Sequence, residues 1–150
     1  MKVTTIVLNG IEITLRLTAS GLADYAEAIG SGGNTLFAVM DALDDMQNQG
    51  KLFTAALTYK GHSNTVTDGM ELIDMLADAE YEPVQKKELI VNLAEQAGVI
   101  GKVDAAKIRA AIKAGNDKIY DAAVAILSGD MSNLPAAPQQ EGEETAENPT

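Results

Sequence analysis

The segment from Thr4 to Thr18, TTIVLNGIEITLRLT, constrains the fold more than any other part of the sequence. Its Asn9-Gly10 pair suits the two central positions of a type I′ turn, where both residues need a positive φ. Leu8 and Ile11 then flank the turn, and two short antiparallel strands follow from it. Alternation along the strands predicts one apolar face, formed by Ile6, Leu8, Ile11, Ile13, Leu15 and Leu17, and an outer face formed by Glu12, Thr14 and Arg16.

A hairpin of this length is marginal alone, and both of its edges carry unpaired backbone groups. The remaining sequence predicts no third strand. Either a helix or a loop of the chain therefore covers the edges, or another molecule completes the sheet.

After Thr18 the spacing of apolar residues changes from two to about 3.6, which indicates helices. The predicted class is α+β, mostly α, with the N-terminal antiparallel hairpin followed by five or six helices. Predicted helices cover residues 20–30, 35–50, 51–61, 70–81, 83–98 and 103–127. Their predicted N-caps are Ser20, Asn34 and either Thr65 or Thr67, their predicted stops include Gly30 and Gly50, and Pro83 suits a first turn.

The last predicted helix carries a heptad-like apolar seam made of Ile108, Ile112, Gly115, Ile119, Ala122 and Ile126. This spacing suits packing on the same domain or on another chain, and it does not choose between them. Basic residues lie beside the seam. The candidate protein-interaction surface consists of Ile108, Ile112, Ile119, Ile126, Lys107, Arg109 and Lys113.

The composition changes sharply near Gly129. Residues 129–150 contain three of the four prolines, few apolar residues and only negative charge, so this tail is predicted to be disordered. The preceding residues 1–128 are predicted to form a single compact domain.

The formal net charge of −11 disfavours a nucleic-acid partner, because such binding depends largely on contacts between cations and phosphates. Five of the eleven basic residues fall between Lys102 and Lys118. With one nearby aromatic residue, this patch is better interpreted as a helix face that meets an acidic partner. The apolar runs are also too short for a membrane span, and the N-terminus lacks a signal-peptide pattern, so a soluble intracellular protein is expected.

No combination of residues indicates catalysis or a cofactor. The chain has no cysteine, and its only histidine, His62, lies in a predicted loop beside Ser63 without an orienting carboxylate. The acidic residues fall on predicted solvent-exposed helix faces, and no calcium-loop or phosphate-loop motif is present. We therefore expect a non-enzymatic protein without a metal or cofactor, which acts through its surfaces.

The order of the elements resembles that of the tail assembly chaperones of long-tailed, siphovirus-type bacteriophages and prophages. The resemblance covers about residues 3–100 and rests on a short Asn-Gly hairpin, a helix with an aromatic residue and a closing glycine, a central apolar helix and two further helices. The segments are VLNGIEITLRLTASGLADYAEAIG, NTLFAVMDAL, KLFTAALTYKG, MELIDMLAD and KELIVNLAEQAGVI.

This resemblance implies a chaperone that binds the helical, aggregation-prone tape-measure protein while the tail tube polymerises around it. It also implies action in the cytoplasm of the bacterial host, absence from the mature virion, a possible frameshifted longer form and possible contact with the tube protein. Self-association is expected through the hairpin or the seam. The alternatives are a structural tail component, such as a tube or completion protein, and an acidic regulator that mimics DNA.

Overall fold

A computed structural model describes residues 2–31, 34–115 and 124–127. A two-stranded antiparallel sheet precedes six helices, and residues 124–127 are also helical, which confirms the predicted mostly α class with an N-terminal hairpin. The chain divides into two compact units, Met1–Gly101 and Lys102–Thr150. The elements are β1 Thr4–Leu8, β2 Ile11–Leu15, α1 Ala19–Ile29, α2 Thr35–Asp44, α3 Met46–Leu57, α4 Gly69–Asp78, α5 Pro83–Gln96 and α6 Lys102–Ala114.

The hairpin has the predicted turn and register. Asn9 and Gly10 have φ values of 51° and 79°, as a type I′ turn requires. Thr4 pairs with Leu15, and Leu8 pairs with Ile11. The predicted apolar face is buried at Leu8, Ile13, Leu15 and Leu17 and becomes exposed at Ile11, beside the turn.

The outer edge of β2 is closed by the same chain. The Asn64 side chain accepts a hydrogen bond from the Thr14 N–H at 3.0 Å and donates one to the Thr14 carbonyl at 2.9 Å. It also donates to the carbonyl of Leu57, and the Arg16 N–H donates to the carbonyl of Ala56. The buried amide of Asn64 therefore takes the place of a third strand, and it joins the sheet to the C-terminal end of α3.

Side-chain caps differ in part from those predicted for α1, α2 and α4. Asn34 caps α2 as predicted, but Thr18 caps α1 in place of Ser20, and Asp68 caps α4 in place of Thr65 or Thr67. In α1 the Thr18 side chain accepts from the Gly21 N–H, and in α4 the Asp68 side chain accepts from the Met70 N–H. Gly30 ends α1 as predicted, with a φ of 72°. Pro83 occupies the first turn of α5, also as predicted.

The prediction of one helix over residues 35–50 is wrong, because the chain turns at Asp45. Asp45 ends α2 in an extended conformation, and its carboxylate accepts hydrogen bonds from the N–H groups of Gln47 and Asn48 at the start of α3. These bonds satisfy orphan donors of the new helix. As a result, Gly50 lies inside α3, where a helix end was predicted.

Gly69 is required at the start of α4 because α4 crosses α3 at almost backbone contact, beside Gly50. A Cβ built on Gly69 would overlap the Gly50 carbonyl and lie 2.8 Å from the backbone nitrogen of Thr54. The Thr54 hydroxyl accepts from the Gly69 N–H at 2.8 Å and donates to the Gly50 carbonyl at 2.9 Å. At the crossing, therefore, the two helix backbones approach closely, and the Thr54 hydroxyl joins them by accepting one hydrogen bond and donating another.

The packing of residues 1–101 centres on α3, which contacts α1, α2, α4 and β2. Phe53, Leu52 and Leu57 are completely buried on this helix. Helix α5 contacts α2, and the Lys87 ammonium lies 3.9 Å from the Asp44 carboxylate between these two helices.

In the second unit, α6 is shorter than predicted. It ends at Ala114, and Gly115 has a φ of 129°, which lies outside the helical region. The prediction of one uninterrupted helix over residues 103–127 is therefore wrong. Residues 124–127 are helical, and the predicted tail, residues 129–150, lies outside the described residues.

We predict that Gly69→Ala destabilises the protein by about 2 kcal/mol or more, because the added methyl group meets backbone atoms that do not move independently. The measurement is the free energy of unfolding from chemical denaturation. Gly101→Ala is the control, since a Cβ at Gly101 meets no atom within 4 Å, and a change within about 0.5 kcal/mol is expected there. Equal effects of the two substitutions would contradict the role of the crossing.

Candidate binding groove

The first turn of α1 lies directly on α3. A Cβ built on Gly21 would lie 3.5 Å from the Ala55 carbonyl oxygen and 3.8 Å from the Ala55 Cβ. Because both residues are small, the two helices approach closely at this point. Larger side chains flank the contact and leave a groove along the line between the helices.

The groove has a volume of about 440 Å³. Tyr25 and Tyr59 are the two buried aromatic residues that line it, and the other lining residues are small or polar. Much of its rim is exposed to solvent, including Ala28 and Thr58. The complete lining is Thr18, Ser20, Gly21, Asp24, Tyr25, Ala28, Lys51, Thr54, Ala55, Thr58, Tyr59 and Lys60.

The groove is a basic site on an acidic unit. Residues 2–101 carry fourteen acidic and six basic side chains, and two of the six, Lys51 and Lys60, line the groove together with one acid, Asp24. Among the described residues, neither lysine has an ion-pair partner. The groove therefore suits a partner that presents carboxylates beside small apolar groups.

Tyr25 fixes the α1 side of the groove to α2. Its hydroxyl donates a buried hydrogen bond to the Ala38 carbonyl. Burial raises the pKa of the Tyr25 hydroxyl well above its ordinary value near 10, and the carboxylates of Asp41 and Asp45 raise this pKa further. The hydroxyl is thus held neutral, as a donor, and serves to position α1.

The structure places the predicted interaction residues in different environments. Ile108 and Ile112 are buried, Ile126 is half-buried and Ile119 lies outside the described residues. Because Ile108 and Ile112 are buried, their side chains are not accessible to a partner. The basic residues of the same surface remain more accessible, with Lys107 and Arg109 half-buried and Lys113 exposed.

The lone histidine takes part in a local contact. His62 is exposed, and its ring stacks on Tyr59 with the ring centroids 5.1 Å apart, while its Nε2 lies 3.3 Å from the Asn64 Oδ1. Within residues 2–31, 34–115 and 124–127, no group of three or more histidine or acidic side chains has an arrangement that could hold a metal ion. None of the helices in that same part of the chain has the length and hydropathy of a membrane-spanning segment.

The groove was not predicted, because the apolar stripes of α1 and α3 describe each helix by itself. A signal is present along α3 and its C-cap, where the small residues Thr54, Ala55 and Thr58 follow Lys51 at helical spacing. Such a face lacks the large side chains of a core and the dense charge of a solvated surface.

Comparisons of the chain with protein-family models, curated proteins and solved structures found no match.

We predict that Tyr25→Phe lowers the free energy of unfolding by about 1 to 2 kcal/mol at neutral pH, because the Ala38 carbonyl loses its buried donor. Above about pH 10 the difference between the two proteins should shrink. There the unfolded Tyr25 releases its proton while the folded one keeps it, so rising pH destabilises the tyrosine form alone. Denaturation at several pH values measures this, and a difference that stays constant through the alkaline range would contradict the assignment.

Proposed function

We propose that this protein is a non-enzymatic tail assembly chaperone of a long-tailed bacteriophage or prophage. It binds the tape-measure protein in the cytoplasm of the bacterial host and keeps it soluble while the tail tube forms. The groove between α1 and α3 is the observation that carries the proposal, because it supplies a binding surface of a kind that suits a helical client.

The groove accommodates a helix through its small lining residues. Gly21, Ala28 and Ala55 present little side-chain bulk, so a client helix can lie close to α1 and α3 and bury apolar side chains between them. Lys51 and Lys60 attract acidic residues beside those apolar side chains. This combination gives adaptable contacts of modest strength, which a chaperone that must later leave its client requires.

The order of the elements along the chain supports the proposal. The hairpin with its Asn9-Gly10 turn, α1 with Tyr25 and Gly30, the apolar α3, then α4 and α5 follow in that order. The high negative charge of the chain favours solubility of a complex with an aggregation-prone client.

The test is coexpression of the full chain with the tape-measure protein, which is expected to be the product of a very long, helix-rich reading frame just downstream. The wild-type chain should raise the soluble yield of that protein severalfold and copurify with it. Ala28→Glu should abolish most of this gain in soluble yield. The added carboxylate fills the rim of the groove and repels the acidic residues of the client that Lys51 and Lys60 attract.

The matched control is Ala77→Glu. Ala77 is exposed and lies one residue before the end of α4, as Ala28 does in α1, so both variants add the same charge at equivalent helix positions. Ala77→Glu should keep the full soluble yield. An unchanged yield with the wild-type chain would overturn the chaperone function, whereas equal behaviour of the two variants would place the binding site elsewhere.

Mass spectrometry of purified virions separates this function from that of a structural tail component. A chaperone leaves before assembly ends and should be missing from finished particles. Recovery of the chain in stoichiometric amounts would instead identify a tube or completion protein.

A further inference from the structure

The edge of β1 is open, although the edge of β2 is closed. In an antiparallel pair, residues that do not exchange hydrogen bonds turn their N–H and C=O groups away from each other. Thr14 uses these groups on the outer side of β2, so its partner Thr5 presents its own groups on the outer side of β1. Val7, two residues along, does the same. Within the described part of the chain, no hydrogen bond reaches these groups of Thr5 or Val7.

This edge lacks three devices that commonly prevent strands from pairing, namely charge, proline and a bulge. β1 contains no charged residue and no proline, and its register with β2 has no bulge. Val7 is 63% exposed, and Thr5 is exposed as well. An open, neutral edge with an exposed valine favours pairing with another strand.

We propose that two copies of the chain associate through this edge, with β1 of each copy antiparallel to β1 of the other. A two-fold axis at Thr5 places Thr5 opposite Thr5 of the second copy and Val7 opposite Val3 of the second copy. In this register the outward N–H and C=O groups of Val3, Thr5 and Val7 all find partners. The two hairpins then form one four-stranded sheet.

On the outer face of that sheet, no like charges lie side by side and the valines of the two copies adjoin. Val7 lies beside Glu12 within each hairpin, and the same register continued by one residue places Val3 beside Arg16. Across the four strands, one row of outward side chains therefore consists of Arg16 and Val3 of one copy followed by Val7 and Glu12 of the second copy. The two-fold axis generates an identical row on the other side of Thr5.

The central row of the sheet consists of four threonines. Thr5 and Thr14 already lie side by side in one hairpin, with their hydroxyl oxygens 3.5 Å apart. The two-fold axis extends this pair into a ladder of Thr14, Thr5 and their two symmetry mates. A second copy thus avoids like-charge contacts and continues the apolar contacts and the hydrogen bonding of the first, which favours this occupant over an unrelated strand.

The mass of the full chain in solution gives the first test. Light scattering after size exclusion should give twice the 15.8 kDa of the chain at high concentration. Val7→Lys should shift dissociation to a concentration about tenfold higher or more, because a charge at a strand edge opposes pairing. Val7 is exposed, so at concentrations where both proteins are monomers the variant should keep the wild-type free energy of unfolding. A monomer throughout the range, or a dimer that Val7→Lys leaves unchanged, would overturn the proposal.

Cysteine cross-linking tests the register, and the chain has no cysteine of its own. Directly opposed, hydrogen-bonded residues have Cα atoms about 5.5 Å apart, which a disulfide spans. Thr5→Cys should therefore form a covalent dimer with oxidised glutathione. Val7→Cys should not, because each Val7 faces Val3 of the second copy.

Thr67→Cys, at an exposed loop position, measures random collision. Cross-linking of Thr5→Cys at the rate of Thr67→Cys would exclude this interface. Faster cross-linking of Val7→Cys than of Thr5→Cys would exclude the register.

Discussion

The Thr54 hydroxyl, held between the Gly69 N–H and the Gly50 carbonyl, is the contact on which the rest of residues 1–101 depends. It fixes how closely α4 approaches α3, and α3 in turn contacts α1, α2 and β2. A shift of this crossing would move the helix that forms one wall of the groove and whose end is tied to β2 by Asn64. The fold, the candidate groove and the closed edge of the sheet therefore share one source of rigidity.

The unit presents two surfaces with different physical character. The groove recognises a client through its shape and two lysine charges, so it favours a client with small apolar groups beside carboxylates. The edge of β1 uses backbone donors and acceptors, so it selects a strand and a direction. Because the groove is formed by α1 and α3, pairing through β1 leaves the residues that line it outside the new strand contact. Association and client binding can then occur together, and several groove copies on one assembly would raise avidity.

The sequence predicted the hairpin fully because the information is local: the Asn9-Gly10 turn and the alternation of side chains determine the register between them. It failed at Gly50, where the apolar pattern and the glycine indicated a helix end, because Gly50 lies where α4 crosses α3 at Gly69, nineteen positions away. The turn at Asp45 was missed since Asp44-Asp45 fits an exposed helix face equally well. The groove could not be predicted for the same reason as the crossing, because it exists only where α1 and α3 meet.

Asp45 has a consequence for how this chain can vary during evolution. It ends α2 and caps α3, so no spare residue separates the two helices. One inserted or deleted residue within the first turn of α3, after this cap, would rotate the rest of that helix by about 100° and turn Gly50 and Thr54 away from α4. Changes in chain length should thus be rejected at this corner.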